Sequence, residues 1–398
     1  MFDTPDRVSP RRDPAPEALL QQVQATTPLF FASPQHTLLA DELFSHVAHG
    51  AAPLAQRVRE ALARAAAEGI SNPTVVGALP FNPTEAAVLG VAKGLKRASA
   101  LPATAHTARG HLHGSVREVP SGERYAAAVA EAVRRIRRGE VDKVVLARTL
   151  ELQCEHPVAL QGLVAALAAR NPRGYNFAVA LGGGRTLFGS SPELLVSRSG
   201  GVLRANPLAG SVPRSPDPVE DQRRAQALLV SPKDLNEHRL VVDAVAQALR
   251  PLCPQLKVPP RPSLVHTPTM WHLSTDISGR TEADALTLAL ALHPTPAVCG
   301  QPRSRAHELI QQLEPFERDF YAGAFGWTDA NGDGEWVVAI RCAELHAQRL
   351  RLYAGAGIVA ESEPEAELAE TGAKFRTMLD ALGLQHGVTQ RQPAEVQP

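Results

Sequence analysis

Hydrophobic and polar residues along this 398-residue chain recur with two periods, one typical of helices and one typical of strands. Helical spacing predicts helices at residues 53–69, 122–138, 218–229, 235–249, 303–313 and 365–382. Runs rich in β-branched and aromatic residues predict strands at 74–80, 142–148, 177–181, 186–189, 323–327, 336–342 and 349–354. The strands come in hairpin-sized pairs with helices grouped between them. This order favours an α+β fold with large antiparallel sheets over a doubly wound βαβ array.

Both ends of the chain carry little apolar surface. Residues 1–16 are rich in Pro, Arg and Asp, and residues 386–398 are polar, so we expect two disordered tails around a folded body at 17–385. The first segment lacks the apolar core of a secretory signal. No stretch approaches the roughly 20 apolar residues of a spanning helix. These patterns predict a cytoplasmic protein with no membrane partner.

Charge and cysteine content argue against several classes of protein. Lys plus Arg and Asp plus Glu each total 41, so no basic excess points to nucleic acid or an anionic membrane. The four cysteines are far apart and form no CxxC pair, which disfavours a disulfide framework and a thiolate zinc site. The arginines that end the 122–138 helix complement its dipole, so they need not form a basic patch.

Three motifs suggest a ligand but fit a turn or loop better. The glycines at 182–184 lack nucleotide-binding spacing and precede a strand, so we expect a hairpin turn. Residues 329–334 copy the first half of a calcium loop, but Ile340 stands where the bidentate glutamate belongs, and a hairpin turn is again expected. For the three histidines His106, His111 and His113, a surface loop is a better explanation than a metal site.

Two pairs of carboxylates have helical spacing. Asp234 and Glu237 are three residues apart, as are Glu367 and Glu370, so each pair lies on one face of a helix. Composition alone would explain both as solvated faces. If the two faces meet, they instead make a hard oxygen site suited to Mg²⁺, which keeps its other positions for water or an anionic substrate.

Two more ionisable residues have apolar neighbours. Lys143 lies in an otherwise apolar strand, where it either points to solvent or is buried and can act as a base, because burial disfavours the charged amine. Glu193 follows a glycine turn into an apolar stretch. An uncharged carboxylic acid at such a place could donate a proton to a leaving group.

In order along the chain, these residues resemble the chorismate-utilising enzymes, a family that includes isochorismate, salicylate, anthranilate and aminodeoxychorismate synthases. The resemblance spans residues 122–384 and rests on the motifs DKVVLAR, FGSSPELLV, NPLAGSVPR, SPKDLNEH, LHPTPAVCG, EWVVAIRCAEL, YAGAGIV and ELAETGAK. It implies that residues 17–385 form a single chorismate-binding catalytic domain. In that fold two large antiparallel sheets are flanked by helices, and the active site lies in the cleft between the sheets.

The resemblance also implies a role for each candidate residue. Glu237 and Glu370 would hold Mg²⁺, with Asp234 and Glu367 in or near its ligand shell, and the ion would bind a carboxylate of chorismate. Arg341 would grip the other carboxylate with its planar fork. The other substrate-binding residues implied are Ala209, Gly210, Ser211, His293, the backbone amides of Gly355, Ala356 and Gly357, and Lys374.

Two positions separate the reactions of the family. Lys143 stands where the aminating members lack a lysine, which implies that water is the nucleophile. Ala209 stands where aminodeoxychorismate synthases carry an attacking lysine, so no covalent route is implied. The resemblance therefore implies that Lys143 deprotonates water, that water adds at C2 of chorismate, and that Glu193 protonates the departing C4 hydroxyl.

The product of those steps is isochorismate, and other activities stay open. A salicylate synthase carries the same lysine and then eliminates pyruvate. An aminating synthase and an inactive chorismate-binding protein are further alternatives. The resemblance leans towards the siderophore branch, without separating it from menaquinone or salicylate formation. Members of this branch generally work without a glutaminase subunit, so we expect a monomer.

Overall fold

Two antiparallel sheets form the frame of the molecule. The computed structural model describes residues 14–103 and 112–384, so most of the predicted N-terminal tail, the predicted C-terminal tail, His106 and His111 lie outside the described residues. The helices in the described part are α1 (Pro16–Leu20), α2 (Leu54–Ala67), α3 (Gly122–Arg137), α4 (Leu160–Arg170), α5 (Pro218–Val230), α6 (Pro232–Leu249), α7 (Ala285–Leu292), α8 (Arg303–Leu313) and α9 (Pro364–Ala381).

The strands run antiparallel to their neighbours. Those in the first half of the chain are β1 (Leu29–Ala32), β2 (His36–Ala40), β3 (Leu43–His46), β4 (Thr74–Leu79), β5 (Val88–Ala92), β6 (Lys96–Ser99), β7 (Gly114–Val119), β8 (Lys143–Cys154), β9 (Tyr175–Gly182), β10 (Arg185–Ser191) and β11 (Leu194–Ser199). Those that follow are β12 (Val202–Ala205), β13 (Leu208–Pro213), β14 (Ser263–His266), β15 (Met270–Ser274), β16 (Ile277–Arg280), β17 (Gly300–Gln301), β18 (Ala324–Asp329), β19 (Gly334–Val338), β20 (Cys342–His346) and β21 (Arg349–Ile358).

The order of the strands separates a larger sheet, a second sheet and a small one. The larger sheet has the order β17-β8-β21-β20-β10-β9-β1-β2-β6, and β7 also pairs with β8. The second sheet has the order β16-β12-β11-β19-β18-β4-β5-β3, and β13-β15-β14 form the small sheet. Aromatic rings join the two large sheets, because Phe177 of β9 stacks on Phe325 of β18 with centroids 3.6 Å apart. This arrangement confirms the predicted α+β fold.

Two of the links between the large sheets, β10 to β11 and β19 to β20, lie side by side. β10 belongs to the larger sheet and β11 to the second, while β19 belongs to the second sheet and β20 to the larger. The two crossovers are hydrogen-bonded to each other: Ser191 Oγ donates to the carbonyl of Val338 at 2.7 Å, and the amide of Val338 donates to the carbonyl of Glu193 at 3.1 Å. The two linkers therefore form one seam.

The predicted turns and loops have the following outcomes. The glycines at 182–184 all have positive φ and join β9 to β10 as a hairpin turn, as predicted. Residues 329–334 also turn a hairpin, in which Asp329 Oδ1 accepts from the amides of Asn331 and Asp333. His113, the one predicted loop histidine in the described part, is exposed. No helix within residues 14–103 and 112–384 combines the length and apolar character needed to cross a membrane.

Candidate active site

A pocket lies where the larger sheet, the small sheet and helices α6 and α9 meet. Its cavity volume is about 60 Å³. Residues predicted from sequence make up half of its lining: Glu193, Ala209, Gly210, Ser211, Glu237, Arg341, Gly355, Gly357, Glu370 and Lys374. The other predicted residues lie outside this lining: Lys143, Asp234, His293, Ala356 and Glu367. The fold thus gathers most of the candidate residues around a single space.

Lys143 is completely buried beneath the pocket. It begins β8, its side chain has 0% exposure, and its Nζ lies 2.9 Å from Oε1 of Glu237 on α6. The neighbouring strand β21 makes room for this ion pair. A Cβ atom at Gly357 would lie 2.1 Å from Glu237 Oε1 and 3.0 Å from Lys143 Cε. Only glycine at 357 therefore permits this contact without a shift of the backbone or of Glu237.

Glu193 lies in the first crossover between the sheets. Its side chain is buried, and one carboxylate oxygen accepts from the amide of Leu208 at 3.3 Å. Burial raises the pKa of Glu193 to about 7, although the Leu208 amide and the charges of Lys143, Arg341 and Lys374 act in the opposite direction. The carboxyl group therefore holds a proton for a large part of the time near neutral pH.

Arg341 lies in the second crossover, next to Glu193 along the seam. Its backbone has φ 51°, a left-handed conformation that costs a non-glycine residue about 1–3 kcal/mol; Asn72, Asp319, Ala322 and Ala347 also adopt it. The side chain is buried, and its Nε has no hydrogen-bond partner among the described residues. A buried guanidinium with an unused donor beside a pocket is suited to bind a carboxylate.

The two acidic faces predicted from helical spacing do meet beside the pocket. Each glutamate of these two faces forms an ion pair with a lysine. Glu237 pairs with Lys143, Glu367 with Lys233 at 2.6 Å, and Glu370 with Lys374 at 2.6 Å. Ser211 Oγ also donates to Glu370 Oε1 at 2.9 Å. Each of the three glutamates is therefore paired with an amine in this structure.

Asp234 and Glu367 complete the acidic group. Burial first, and then the charge of Glu370, raise the pKa of Glu367. Burial is also the main reason that the pKa of Asp234 is raised, and the charges of Glu237 and Glu370 add to it. Oε2 of Glu367 is buried with no partner in the described part of the chain. Hard oxygen donors that repel one another, one of them unpartnered, fit a divalent cation.

The acidic group is not preassembled as a metal cage. Within the described ranges, no three or more His, Cys, Asp or Glu side chains already stand close enough to hold a metal ion together. Lys143, Lys233 and Lys374 occupy the carboxylates instead. A cation would have to compete with these amines.

The glycine segment of β21 borders the pocket where β20 no longer covers it. β20 pairs with β21 only as far as Leu352, whereas β8 pairs with it up to Ile358. Gly355 and Gly357 line the pocket, and the carbonyl of Gly355 accepts from Lys374 Nζ at 2.9 Å. Ala356 is fully buried and lies outside the lining. Gly355 and Gly357 therefore border the pocket, whereas Ala356 does not.

Ala209, Gly210 and Ser211 line the pocket, as the motif comparison led us to expect, but His293 does not. The ring Nε2 of His293 lies 2.8 Å from the carbonyl of Pro80, at the end of β4. Burial lowers the pKa of His293 to about 4, so the neutral ring donates this hydrogen bond. His293 thus joins two segments of the fold and lies outside the pocket lining, and its contact with substrate stays a prediction.

Three pocket residues with polar or aromatic side chains were missed at the level of sequence. His272 on β15 is buried, its Nε2 has no partner within the described residues, and burial lowers its pKa well below the usual value. Tyr321 and Tyr353 stack with centroids 4.6 Å apart and both line the pocket. A histidine inside the apolar strand 270–274 was a detectable signal of the same kind as Lys143. The tyrosines carry no such signal.

Known proteins similar to this chain share both its sequence and its fold. Residues 82–383 match the family model of the chorismate binding enzymes. The isochorismate synthase DhbC of Bacillus subtilis is 48% identical over 387 residues, which cover 93% of this chain and 97% of that protein. The isochorismate synthase EntC of Escherichia coli is 39% identical over 382 residues, which cover 92% of this chain and 98% of that protein.

Solved structures agree with this relationship. The crystal structure of a 2,3-dihydroxybenzoate-specific isochorismate synthase, DhbC from Bacillus anthracis, has a TM-score of 0.89 and 49% identity, covering 93% of this chain and 100% of that one. Anthranilate synthase component I from Streptococcus pneumoniae has a TM-score of 0.72 at 20% identity, with 95% of each chain covered. The second match shows that the fold is shared.

Proposed function

Because this chain belongs to the family of chorismate-binding enzymes, we propose that it is an isochorismate synthase that isomerises chorismate to isochorismate. The observation that carries the proposal is the pair of ionisable groups around the pocket. A completely buried amine, Lys143, lies under the pocket, and a buried carboxyl with a pKa of about 7, Glu193, lines it. Such a pair can supply a base and an acid to one substrate.

Lys143 is the proposed general base. The neutral amine takes a proton from a water molecule, and the resulting hydroxide adds at C2 of the ring. Its side chain has 0% exposure to water, so the proposed base is shielded from bulk solvent. The amine lies 2.9 Å from Glu237 Oε1, so Glu237 has to be engaged elsewhere when Lys143 acts.

Glu193 is the proposed general acid. As the ring double bonds shift, the C4 hydroxyl leaves, and a proton from Glu193 converts it to water. Its pKa of about 7 suits this task, since an acid with a pKa near the working pH is protonated often enough and still gives up its proton readily. Ala209 offers no nucleophile, so the oxygen at C2 comes from water and not from an enzyme-bound intermediate.

The remaining polar residues would hold the substrate. We propose that Arg341 binds one carboxylate of chorismate through its guanidinium, with Gly355 and Gly357 giving close access to the backbone. His272, neutral and unpartnered at Nε2, would form a hydrogen bond with the substrate or with the attacking water. Tyr321 and Tyr353 would form an apolar wall along the ring.

A divalent cation, which we propose to be Mg²⁺, fits the acidic group. Glu237 and Glu370 would hold it, with Asp234 and Glu367 beside them. When bound, the cation supplies positive charge that attracts the other carboxylate of chorismate. We also propose that residues 17–385 act as one catalytic domain, that the enzyme works as a cytoplasmic monomer without a glutaminase subunit, and that its product enters a siderophore branch, as the name of the similar 2,3-dihydroxybenzoate-specific protein suggests.

The test is to incubate purified protein with chorismate and Mg²⁺ and to separate the products by chromatography. We expect isochorismate, with no pyruvate unless a lyase is added. Stoichiometric pyruvate would instead identify a salicylate synthase, and a fluorescent aromatic amine formed only with ammonia would identify an aminating enzyme. Lys93→Ala, which removes an exposed amine, is a matched control for Lys143→Ala. Chorismate binding without any turnover would leave only a binding protein.

A further inference from the structure

One edge of β8 lacks a strand partner just after Lys143. On this side β17 pairs with β8 at Lys143 and Val144, and β7 pairs with it from Thr149 to Cys154. In the described part of the chain, no strand covers residues 145–148 between these two partners. Backbone groups in such a gap need other partners, because an unpaired buried N–H or C=O group is unfavourable. Groups other than a neighbouring strand must therefore bond the backbone of the strand that contains the proposed base.

A backbone carbonyl and two side chains fill the gap: the carbonyl of Cys299 accepts from the amide of Val145 at 2.8 Å. Arg318 Nη2 donates to the carbonyl of Val145 at 2.7 Å, and Glu314 Oε1 accepts from the amide of Ala147 at 2.7 Å. The same guanidinium donates through Nη1 to the carbonyl of Val298 at 2.7 Å. Arg318 and Glu314 also pair with each other through two hydrogen bonds, and their side chains are only 2% and 3% exposed. The pair thus ties β8 to the loop that contains Val298.

Both tied segments form the pocket. Val145 and Val298 line it, and Val145 follows Lys143 by two positions on the same strand. The amide of Tyr321, another lining residue, donates to the carbonyl of Arg318 at 2.8 Å. Phe81 lies under the guanidinium, 4.4 Å from its centre, and limits its movement. Neither Arg318 nor Glu314 lines the pocket, so any effect on the reaction acts through these neighbours.

We infer that Arg318 and Glu314 are positioning residues that fix the strand of Lys143 against the Val298 and Tyr321 walls of the pocket. The inference rests on the proposed function, in which Lys143 is the base. A planar fork can hold two carbonyl groups from different segments at once, whereas a lysine presents a single flexible point charge. Misplacement of a reacting group by about 1 Å can slow a reaction by as much as ~100-fold. The pair would therefore affect the rate of the chemical step more than the binding of substrate.

The test compares Arg318→Lys and Glu314→Gln with a control at a similar arginine. Arg198 also bridges a carboxylate, Asp333, and a backbone carbonyl, that of Asn331, but it lies at a hairpin turn outside the pocket. For each variant, kcat and KM are measured with chorismate, and competent sites are counted by titrating chorismate binding. A purely structural role would lower the number of competent sites and leave the rate per site unchanged.

We expect Arg318→Lys to lower kcat per competent site at least about tenfold, with KM and the Kd of chorismate within about threefold. Glu314→Gln should lower it by a smaller factor, because the amide oxygen can still accept from Ala147. Arg198→Lys should stay within about twofold. A rate per site in Arg318→Lys equal to that of Arg198→Lys would overturn the inference. If Arg318→Lys does not fold, Glu314→Gln decides by the same comparison. Failure of the proposed function is distinguishable, since the unmodified chain would then form no isochorismate.

Discussion

Replacement of Glu193 by Gln should make the protein more stable and much less active. Burial raises the pKa of Glu193 from 4.5 to about 7, so the folded state resists ionisation that the unfolded chain accepts. At a pH above both values, a difference of about 2.5 pKa units corresponds to a loss of about 3 kcal/mol in the free energy of unfolding. The amide side chain of the Glu193→Gln variant does not ionise, so this loss disappears.

The sign of the effect follows from the direction of the shift. Because the pKa is raised on folding, the unfavourable contribution is absent below about pH 4.5, grows as the pH rises, and is complete above about pH 7. Between about pH 5.5 and 8.5, the difference in free energy of unfolding between Glu193→Gln and the unmodified protein should grow by about 2 kcal/mol. Over the same range kcat should be about 100-fold to 10,000-fold lower in the variant, because the proton donor is gone.

Urea unfolding at several pH values measures the first quantity, and isochorismate formation measures the second. Arg198→Lys is a suitable control, since it should show no growth of the difference with pH. A stability difference that stays constant from about pH 5.5 to 8.5 would refute the raised pKa of Glu193. Unchanged kcat in a folded Glu193→Gln protein would refute its role as the acid.

Further predictions concern the base, the glycine strand, the cation and the pH dependence. Lys143→Ala should abolish measurable turnover while chorismate still binds, as followed by calorimetry; normal turnover would exclude Lys143 as the base. Gly357→Ala should destabilise the fold by about 1–3 kcal/mol and lower kcat, because its Cβ would overlap Glu237 Oε1; unchanged thermal unfolding would contradict the close contact. Mg²⁺ should raise the melting temperature by mass action, less so in Glu367→Gln, and a chelator should reverse it. In the unmodified protein kcat/KM should fall as the pH rises through about 7, where free Glu193 loses its proton.

The pattern of hydrophobic residues predicted best the elements that depend on their own sequence more than on distant partners. The strongly amphipathic helices α3 and α8 begin and end within one or two residues of the predicted limits. Strand β8 continues to Cys154, six residues past its predicted end, because β7 and β21 pair with its more polar second half. β1 and β2 were not predicted, since they are short and become strands through pairing with each other, with β9 and with β6.

Residues of the site could be identified from sequence where a charge stands in an apolar run. Lys143 and Glu193 are of this kind, and the structure buries both beside one pocket. The partner of a side chain is harder to foresee. The ring of His293 is hydrogen-bonded to the carbonyl of Pro80, which lies 213 residues away in the chain. The pairing of three glutamates with three lysines is equally non-local, because it depends on how α6, α9 and β8 pack.

The seam between the two large sheets makes the rate of reaction sensitive to the tilt of one sheet against the other. Glu193 and Arg341 lie on linkers that each have one end in either sheet, so a change of tilt would move the proton donor and the carboxylate clamp together. The ring stack of Phe177 on Phe325 joins the two sheets within the core. A change of ring size there could alter turnover without touching a single atom of the pocket. Searches for faster or slower variants therefore have reason to include the aromatic core.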